Sequence, residues 1–156
     1  MMGLFSRKKK EAFVCPMSGI VHPIEEVPDP VFSEKSMGDG FAVELTGRQV
    51  QAPLSGTVTA AFPTGHAYGI TTKEGLEILI HIGIETVALE GAGFAIKKKQ
   101  GDTVSQGDVL VEVDVDYIKG QGKSLYSPVI FTGGQKVSLL KSGSVQAGEG
   151  DVIKIQ

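Results

Sequence analysis

Tryptophan is absent from the sequence, and aromatic residues make up only 6% of its 156 residues. A single cysteine, Cys15, excludes an intramolecular disulfide framework, and its apolar neighbourhood favours an inert core thiol. No apolar run is long enough to span a bilayer, and the basic N-terminus lacks the apolar segment of a secretory signal. The formal net charge of −3 argues against a nucleic-acid-binding surface over the whole molecule. We therefore expect a cytoplasmic protein that binds no nucleic acid.

Glycine and proline, by contrast, are frequent, with 21 and 7 residues. From residue 13 onward, short β-type runs alternate with turn signals, and the length suits one domain with a single core. Helix is expected only as single turns near Asp116–Lys119 and around Glu85–Leu89. We predict an all-β fold, an antiparallel sandwich or flattened barrel, over residues 13–156. The predicted strands are Phe13–Cys15, Ile20–Pro23, Phe41–Leu45, Gln49–Ala52, Gly56–Phe62, Tyr68–Thr72, Glu77–Ile82, Val109–Val113, Val129–Phe131 and Val152–Ile155.

One pattern occurs twice in the chain. Residues 15–21, CPMSGIV, and 52–58, APLSGTV, share a small residue, Pro, Ser-Gly and a closing Val. These units are similar to those of biotinyl and lipoyl carrier domains, which are built from duplicated hairpins. Such carriers need a lysine in Met-Lys-Met or Asp-Lys at a hairpin tip, and neither occurs here. The repeat therefore favours a duplicated hybrid motif architecture without that carrier function.

The first twelve residues differ in composition from the rest of the chain. Residues 1–11 read MMGLFSRKKKE, so Leu4 and Phe5 precede a basic cluster. Such a segment can form a short amphipathic helix on anionic lipid, or it can be a frayed tail that buries little apolar area. Both alternatives stay open, and peripheral membrane contact through residues 1–11 is one of them.

Two of the three histidines lie in adjacent predicted strands. A two-residue loop at Lys73-Glu74 places His66 directly opposite His81, and one at Glu74-Gly75 makes the two histidines diagonal neighbours. Only a three-residue loop without a bulge puts them on opposite faces. The register therefore stays open, and both two-residue loops place the two imidazoles on one face of the hairpin.

The strand after the turn indicates what His81 is suited for. Isoleucines alternate with Leu79 and His81, so the isoleucines face the core and the imidazole lies on the other face. A neutral imidazole among apolar side chains keeps a depressed pKa and a free lone pair, which a nucleophile for phosphorus requires. The carbonyl of Gly83 could accept the Nδ1–H of His81 and leave Nε2 free to attack.

The residues alone leave three interpretations open: a histidine pair satisfied in the core, a metal site and a catalytic pair. A closed structural zinc site needs four protein ligands, and His66 and His81 supply two. No cysteine or carboxylate is visibly placed to complete the set. No cofactor is therefore required, although zinc shared transiently with a partner protein stays open. His22 has no such companion and is predicted to be an ordinary exposed strand residue.

From about residue 13 to the end, the chain resembles the IIA component of the glucose family of the bacterial phosphoenolpyruvate-dependent sugar phosphotransferase system. The segments that carry the resemblance are specific ones. They are VPDPVF (27–32), MGDGF (37–41), PLSGTV (53–58), PTGHAYG (63–69), GLEILIHIGIETV (75–87), GAGF (91–94) and KSGSV (141–145). The resemblance implies a phosphoryl carrier on an all-β fold.

By that resemblance, His81 accepts the phosphoryl group on Nε2, His66 steadies the group in transfer, and Thr64 hydrogen-bonds His66. The phosphocarrier protein HPr is the implied donor, a cysteine of a IIB domain is the implied acceptor, and regulatory target proteins are further candidate partners. The implied docking face is an apolar disc with an acidic rim around the histidines. Its residues are Asp29, Val31, Phe32, Phe62, Tyr68, Leu79, Gly83 and Glu85.

Family members that are fused carry IIB and IIC domains ahead of the IIA domain. The sequence has neither, so it is expected to work in trans, and its start resembles the amphipathic tail of stand-alone members. Two rival functions remain. A zinc peptidase on a similar hairpin fold needs His-x-His and His-x-x-x-Asp ligand sets, which residues 66–70 and 81–83 do not supply. A regulatory binding module without transfer activity is compatible with the histidine pair.

Overall fold

The computed structural model describes residues 11–156. Residues 1–10 lie outside this range, so membrane contact through the N-terminal tail stays a prediction. Within residues 11–156, no helix combines the length and the apolar character needed to cross a bilayer.

The described chain consists mainly of short strands. They are β1 (Met17–Pro23), β2 (Asp39–Gln51), β3 (Gly56–Ala61), β4 (Ala67–Thr71), β5 (Glu77–His81), β6 (Phe94–Ile96), β7 (Thr103–Val104), β8 (Val109–Val113), β9 (Tyr126–Phe131), β10 (Val137–Leu139), β11 (Gly143–Val145) and β12 (Ile153–Ile155). The α-helices are α1 (Pro30–Ser33) and α2 (Val115–Gly120), and the 3-10 helices are Ile24–Glu26 and Thr86–Leu89.

Ten strands form one antiparallel sheet that curls into a half-barrel. The strand order is β11-β1-β2-β9-β5-β4-β3-β7, and β8 pairs with both β2 and β6. The strands β10 and β12 form a separate pair. The prediction of an all-β antiparallel fold with little helix is confirmed.

The longest strand, β2, pairs with two different strands along the same edge, one after the other. It pairs with β9 along Asp39–Glu44 and with β8 along Gln49–Gln51. The sequence predicted two separate strands here, Phe41–Leu45 and Gln49–Ala52. The structure has one strand of 13 residues because its neighbour changes from β9 to β8 while the strand itself continues.

The core has two parts, one on each face of the sheet. The larger fills the inside of the curl and includes Phe41, Ile80 and Phe131, all fully buried. The smaller lies on the outer face, where Ile24, Val27 and Phe32 pack against residues of β2 and β9. Burial of an aromatic side chain such as Phe32 contributes about 2 kcal/mol. This outer cluster therefore holds the segment from residue 24 to residue 33 across the sheet, beside the hairpin of β4 and β5.

The two copies of the repeated pattern meet in the fold. The Val14 N–H donates to Pro53 O at 3.2 Å, and the Gln51 N–H donates to Pro16 O at 2.7 Å. Cys15 and Ala52, the first residues of the two copies, are both fully buried. The Cys15 thiol donates to a backbone carbonyl, and burial raises its pKa to about 11, as expected for an inert core thiol.

Candidate functional site

The hairpin of β4 and β5 carries the histidine site, with a register that differs from that of either two-residue loop. Ala67 lies opposite His81, and the Thr72 N–H donates to Leu76 O at 2.9 Å. The loop is therefore the three residues 73–75, closed by Gly75 at φ +91°. Neither two-residue loop forms, because Gly75 takes the left-handed conformation that a three-residue hairpin loop requires.

The two imidazoles meet in spite of this register. Their ring centroids are 5.2 Å apart, and the ring planes are inclined at 75°. His66 precedes β4 and follows a turn in which Gly65 has φ +80°. Since His66 lies in the turn and outside the strand, the alternation of strand side chains does not fix its direction. The predicted contact between the histidines is present, but a turn at the end of the hairpin produces it.

His81 is held in one tautomer by its own chain. Its Nδ1 lies 2.7 Å from the carbonyl oxygen of Gly83, which can only accept a hydrogen bond. Nδ1 therefore carries the proton, and Nε2 of the neutral ring keeps its lone pair. Burial lowers the pKa of His81, while the bond to Gly83 and the charge of Asp29 oppose that effect.

His66 is more deeply buried, with 2% of its surface exposed. Its Nδ1 lies 2.5 Å from the hydroxyl of Thr64, as the resemblance implied. Burial, followed by repulsion from the charged form of His81, lowers the pKa of His66 to about 4. Both rings are consequently neutral at pH 7, so one can attack phosphorus and the other can donate an N–H.

Apolar side chains surround the histidines, although not all of the predicted ones do. The ring of Phe32 lies 5.1 Å from that of His81, and the ring of Phe62 lies 5.0 Å from that of His66. Phe62 and Val31 are each 48% exposed, which makes them available to a partner. Leu79 is half-buried against the outer cluster. Phe32 and Phe62, two of the five predicted disc side chains, therefore lie beside the histidine rings.

Tyr68 is the exception, and its assignment to the docking face was wrong. It lies opposite Ile80 on the core face of the hairpin and is 1% exposed. Its hydroxyl has no hydrogen-bond partner among residues 11–156, and burial raises its pKa to about 12. Because β4 begins at Ala67, alternation turns Tyr68 inward.

The two predicted rim carboxylates lie on loops that flank His81. Asp29 caps α1 by accepting the Val31 N–H at 3.0 Å, and its charge reaches His81. Glu85 is exposed and has φ +60°, an uncommon backbone conformation for a residue other than glycine. Glu85 follows the candidate nucleophile His81 by four residues, and its carboxylate is exposed to solvent.

Two buried hydroxyls near Gly83 were not predicted from the sequence. Ser127 accepts the Gly83 N–H at 3.1 Å, and Thr86 donates to the carbonyl of Ile82 at 2.6 Å. Ser127 is 44 residues away in sequence, so no local pattern could reveal it. Thr86 lies within the motif that carries the resemblance, but only the fold gives its hydroxyl a partner.

The third histidine is not the exposed residue predicted from its strand. His22 bonds Glu26 at 2.9 Å and Glu44 at 3.2 Å, and its ring stacks on Tyr126. It is half-buried because the 3-10 helix after β1 brings Glu26 back over the strand.

The histidine pair alone would give a metal two ligands. Among residues 11–156, no three His, Cys, Asp or Glu side chains are grouped so that they could hold a metal ion. A further ligand would have to come from another molecule.

Comparison with known proteins places this site in a family. The family model described as phosphoenolpyruvate-dependent sugar phosphotransferase system, EIIA 1, matches residues 11–137. The PTS system glucose-specific EIICBA component of Streptococcus pneumoniae serotype 4 is 48% identical over 132 residues, which are 83% of this chain and 18% of that protein. The chain thus spans less than a fifth of that relative's length. Glucose permease IIA from Mycoplasma capricolum is 42% identical, with a TM-score of 0.86, and the match covers 94% of this chain and 96% of that one. The chain therefore belongs to the EIIA 1 family of the phosphoenolpyruvate-dependent sugar phosphotransferase system, whose members are phosphoryl carriers.

Proposed function

We propose that His81 accepts a phosphoryl group on Nε2 from phosphorylated HPr and passes it to a cysteine of a IIB domain. The observation that carries this proposal is the bond from His81 Nδ1 to the Gly83 carbonyl. In the transfer, the Nε2 lone pair forms the new bond to phosphorus as the bond to the donor breaks, and Nδ1 keeps its proton. The second step reverses these changes toward the IIB thiolate.

His66 assists the transfer in this proposal. With the Thr64 hydroxyl donating to Nδ1 of His66, the proton of that ring is on Nε2, where it can bond an equatorial phosphoryl oxygen. The ring centroids are 5.2 Å apart, and we place one phosphoryl group between the two rings. Donors for these oxygens matter because phosphoryl transfer depends on positioning and charge stabilisation.

Docking would use the exposed apolar residues Val31 and Phe62, with Phe32 and Leu79 forming the floor beside the histidines. Asp29 and Glu85 supply negative charge at the rim, which suits a partner with a basic face. The same surface serves HPr and the IIB domain in turn, because both must reach His81. The two relatives above are named for glucose, and a glucose-family permease is our proposed downstream partner.

The remaining roles rest on the sequence, and only some of them on the resemblance. They are a cytoplasmic location, regulatory target proteins, zinc shared with a partner at His66 and His81, and lipid contact through residues 1–11. Zinc binding is measured by titrating the protein with zinc, first alone and then with a candidate target. Lipid contact is measured by binding of the protein to vesicles with and without anionic lipid.

Radiolabelled phosphoenolpyruvate, enzyme I and HPr test the central proposal. We expect the wild-type protein to take up the label in an acid-labile, alkali-stable form, as expected for phosphohistidine. The His81→Ala variant should take up none, since it lacks the attacking nitrogen. His22→Ala, which removes the histidine outside the site, is the matched control and should be labelled like wild type. An unlabelled wild-type protein, or a labelled His81→Ala variant, would contradict the proposal.

A further inference from the structure

The backbone around Gly83 is bonded at every polar atom of two successive peptide groups. In the Ile82–Gly83 peptide, the N–H donates to Ser127 Oγ at 3.1 Å and the carbonyl accepts from Thr86 Oγ1 at 2.6 Å. In the Gly83–Ile84 peptide, the N–H donates to Ser124 O at 3.1 Å and the carbonyl accepts from His81. Both planes that meet at the Gly83 Cα are thereby fixed.

The backbone conformation between these planes is one that few residues adopt. Gly83 has φ +71°, and a Cβ built there would lie 2.6 Å from Thr86 Cγ2 and 2.7 Å from Ser124 O. This conformation directs the Gly83 carbonyl back toward His81, two residues earlier. Its stability depends on the bonds that hold the two peptide groups.

Ser127 and Thr86 supply those bonds from a fully buried position, each with 0% of its surface exposed. The Ser127 hydroxyl donates to Leu125 O at 2.9 Å, so its proton is already used and its lone pair faces the Gly83 N–H. Neither hydroxyl reaches the surface, so neither can touch a docking partner or the phosphoryl group.

We propose that Ser127 and Thr86 are positioning residues for phosphoryl acceptance: they fix the Gly83 carbonyl, which in turn keeps the His81 proton on Nδ1. The inference rests on the proposed function of His81 and adds two residues that act only through the backbone. The Ser124 bond to the Ile84 N–H strengthens the same arrangement, because a peptide whose N–H is hydrogen-bonded has a better acceptor at its carbonyl.

The reaction depends on which nitrogen of His81 keeps its lone pair. If the Gly83 carbonyl moves away, the Nε2–H tautomer of His81 becomes populated. That tautomer has no lone pair on Nε2 and cannot attack phosphorus. Loss of one hydroxyl should therefore reduce the reactive fraction of His81 without removing any atom from the site.

Thr86→Val and Ser127→Ala test the inference in the full-length chain. Thr86→Val keeps the shape of the side chain and removes its hydroxyl, and Thr86→Ser restores the hydroxyl. Thr72→Val is the matched control, because Thr72 is also buried and its Oγ1 accepts the Leu76 N–H at the opposite end of the same hairpin. Ser127→Ala removes a single oxygen atom and serves if Thr86→Val does not fold.

Two measurements are made on each variant: the His81 tautomer by ¹⁵N-detected NMR and the initial rate of label uptake from phosphorylated HPr. We expect mixed tautomers and uptake slowed about tenfold in Thr86→Val and Ser127→Ala, the size of effect of one buried hydrogen bond. Thr86→Ser and Thr72→Val should keep the Nδ1–H tautomer and the wild-type rate.

The inference is overturned if both hydroxyl-deleted variants keep a pure Nδ1–H tautomer and the wild-type rate. It is also overturned if Thr72→Val shifts the tautomer as much as they do, since the cause would then be a general loss of stability. If wild-type protein takes up no label, the proposed function fails, and the tautomer measurement still decides whether the hydroxyls position His81.

Discussion

His66 and His81 are both histidines, and their ring centroids are 5.2 Å apart, yet their Nδ1 atoms have different hydrogen-bond partners. His81 faces a backbone carbonyl that only accepts, whereas His66 faces a hydroxyl that can do either. The first arrangement fixes a lone pair on the outward nitrogen, and the second allows an N–H there. The unequal roles proposed for the pair therefore follow from the atom that each Nδ1 meets.

A ¹⁵N NMR titration should show both rings neutral at pH 7. Burial lowers the pKa of His81 from its ordinary value of 6.5, and it lowers that of His66 to about 4. We expect both midpoints below 6.5, with that of His66 at about 4. A midpoint above 7 for His81 would mean that the nucleophile is largely protonated at neutral pH, against the proposed mechanism.

The variant His66→Gln separates acceptance from onward transfer. Glutamine retains a neutral N–H that can hold a phosphoryl oxygen, so label uptake from phosphorylated HPr should persist. Its flexible amide lacks the fixed position that the Thr64 bond gives the imidazole N–H, so we expect transfer to a IIB domain to fail. Single-turnover chase of labelled protein with a IIB domain measures this step. Onward transfer at the wild-type rate would remove His66 from its assigned role.

Among the elements, α1 links the outer core cluster to the site, through Phe32 beside the His81 ring and through its N-cap Asp29. Asp29 both caps this helix and acts on His81 through its charge. Asp29→Asn keeps a good cap and removes the charge, whereas Asp29→Ala removes both. Both variants should lower the pKa of His81 further, and only Asp29→Ala should lose about 1 kcal/mol of unfolding free energy. NMR titration and urea unfolding measure the two effects.

Asp114 supplies the control for this comparison. It caps α2 in the same way, accepting the Tyr117 N–H at 3.0 Å, but does not contribute to the pKa of His81. Asp114→Ala should therefore lose stability and leave the His81 titration unchanged. If Asp29→Asn also leaves it unchanged, the charge of Asp29 does not reach the nucleophile.

The elements also explain what the sequence could and could not predict. Alternating isoleucines identified the strand of His81 correctly, because one face of that strand is fully buried. The loop length stayed open because the sequence does not distinguish Gly75 as the second residue of a short loop from Gly75 as the closing residue of a longer one. Tyr68, which the resemblance placed on the docking face, lies in the core because it pairs with Ile80 on the buried face of the hairpin. The bond from Gly83 to Ser127 depends on β5 pairing with β9, a long-range contact that no local pattern encodes.

At the scale of the whole molecule, the site makes the fold sensitive to acid. The folded protein holds the pKa of His66 at about 4, whereas an unfolded chain leaves it near 6.5. Between these values the unfolded state binds more protons, so the free energy of unfolding must fall as the pH decreases. This loss of unfolding free energy is absent above pH 6.5 and complete below about pH 4. At its full size it amounts to about 3 kcal/mol. His81, whose pKa is also lowered, acts in the same direction.

Replacing His66 should therefore flatten the acid limb of the stability profile. In His66→Gln no proton is gained on unfolding at this position, so its unfolding free energy should change less than that of wild type between pH 7 and pH 4.5. Urea unfolding at pH 7, 5.5 and 4.5 measures the difference, and the two curves should converge toward low pH if glutamine packs less well. Parallel losses in the two proteins would show that the buried imidazole is not the source. A smaller loss of unfolding free energy in the variant would identify His66 as the source of the acid sensitivity. The burial that keeps the ring neutral for phosphoryl transfer would then also limit how far the protein tolerates acid.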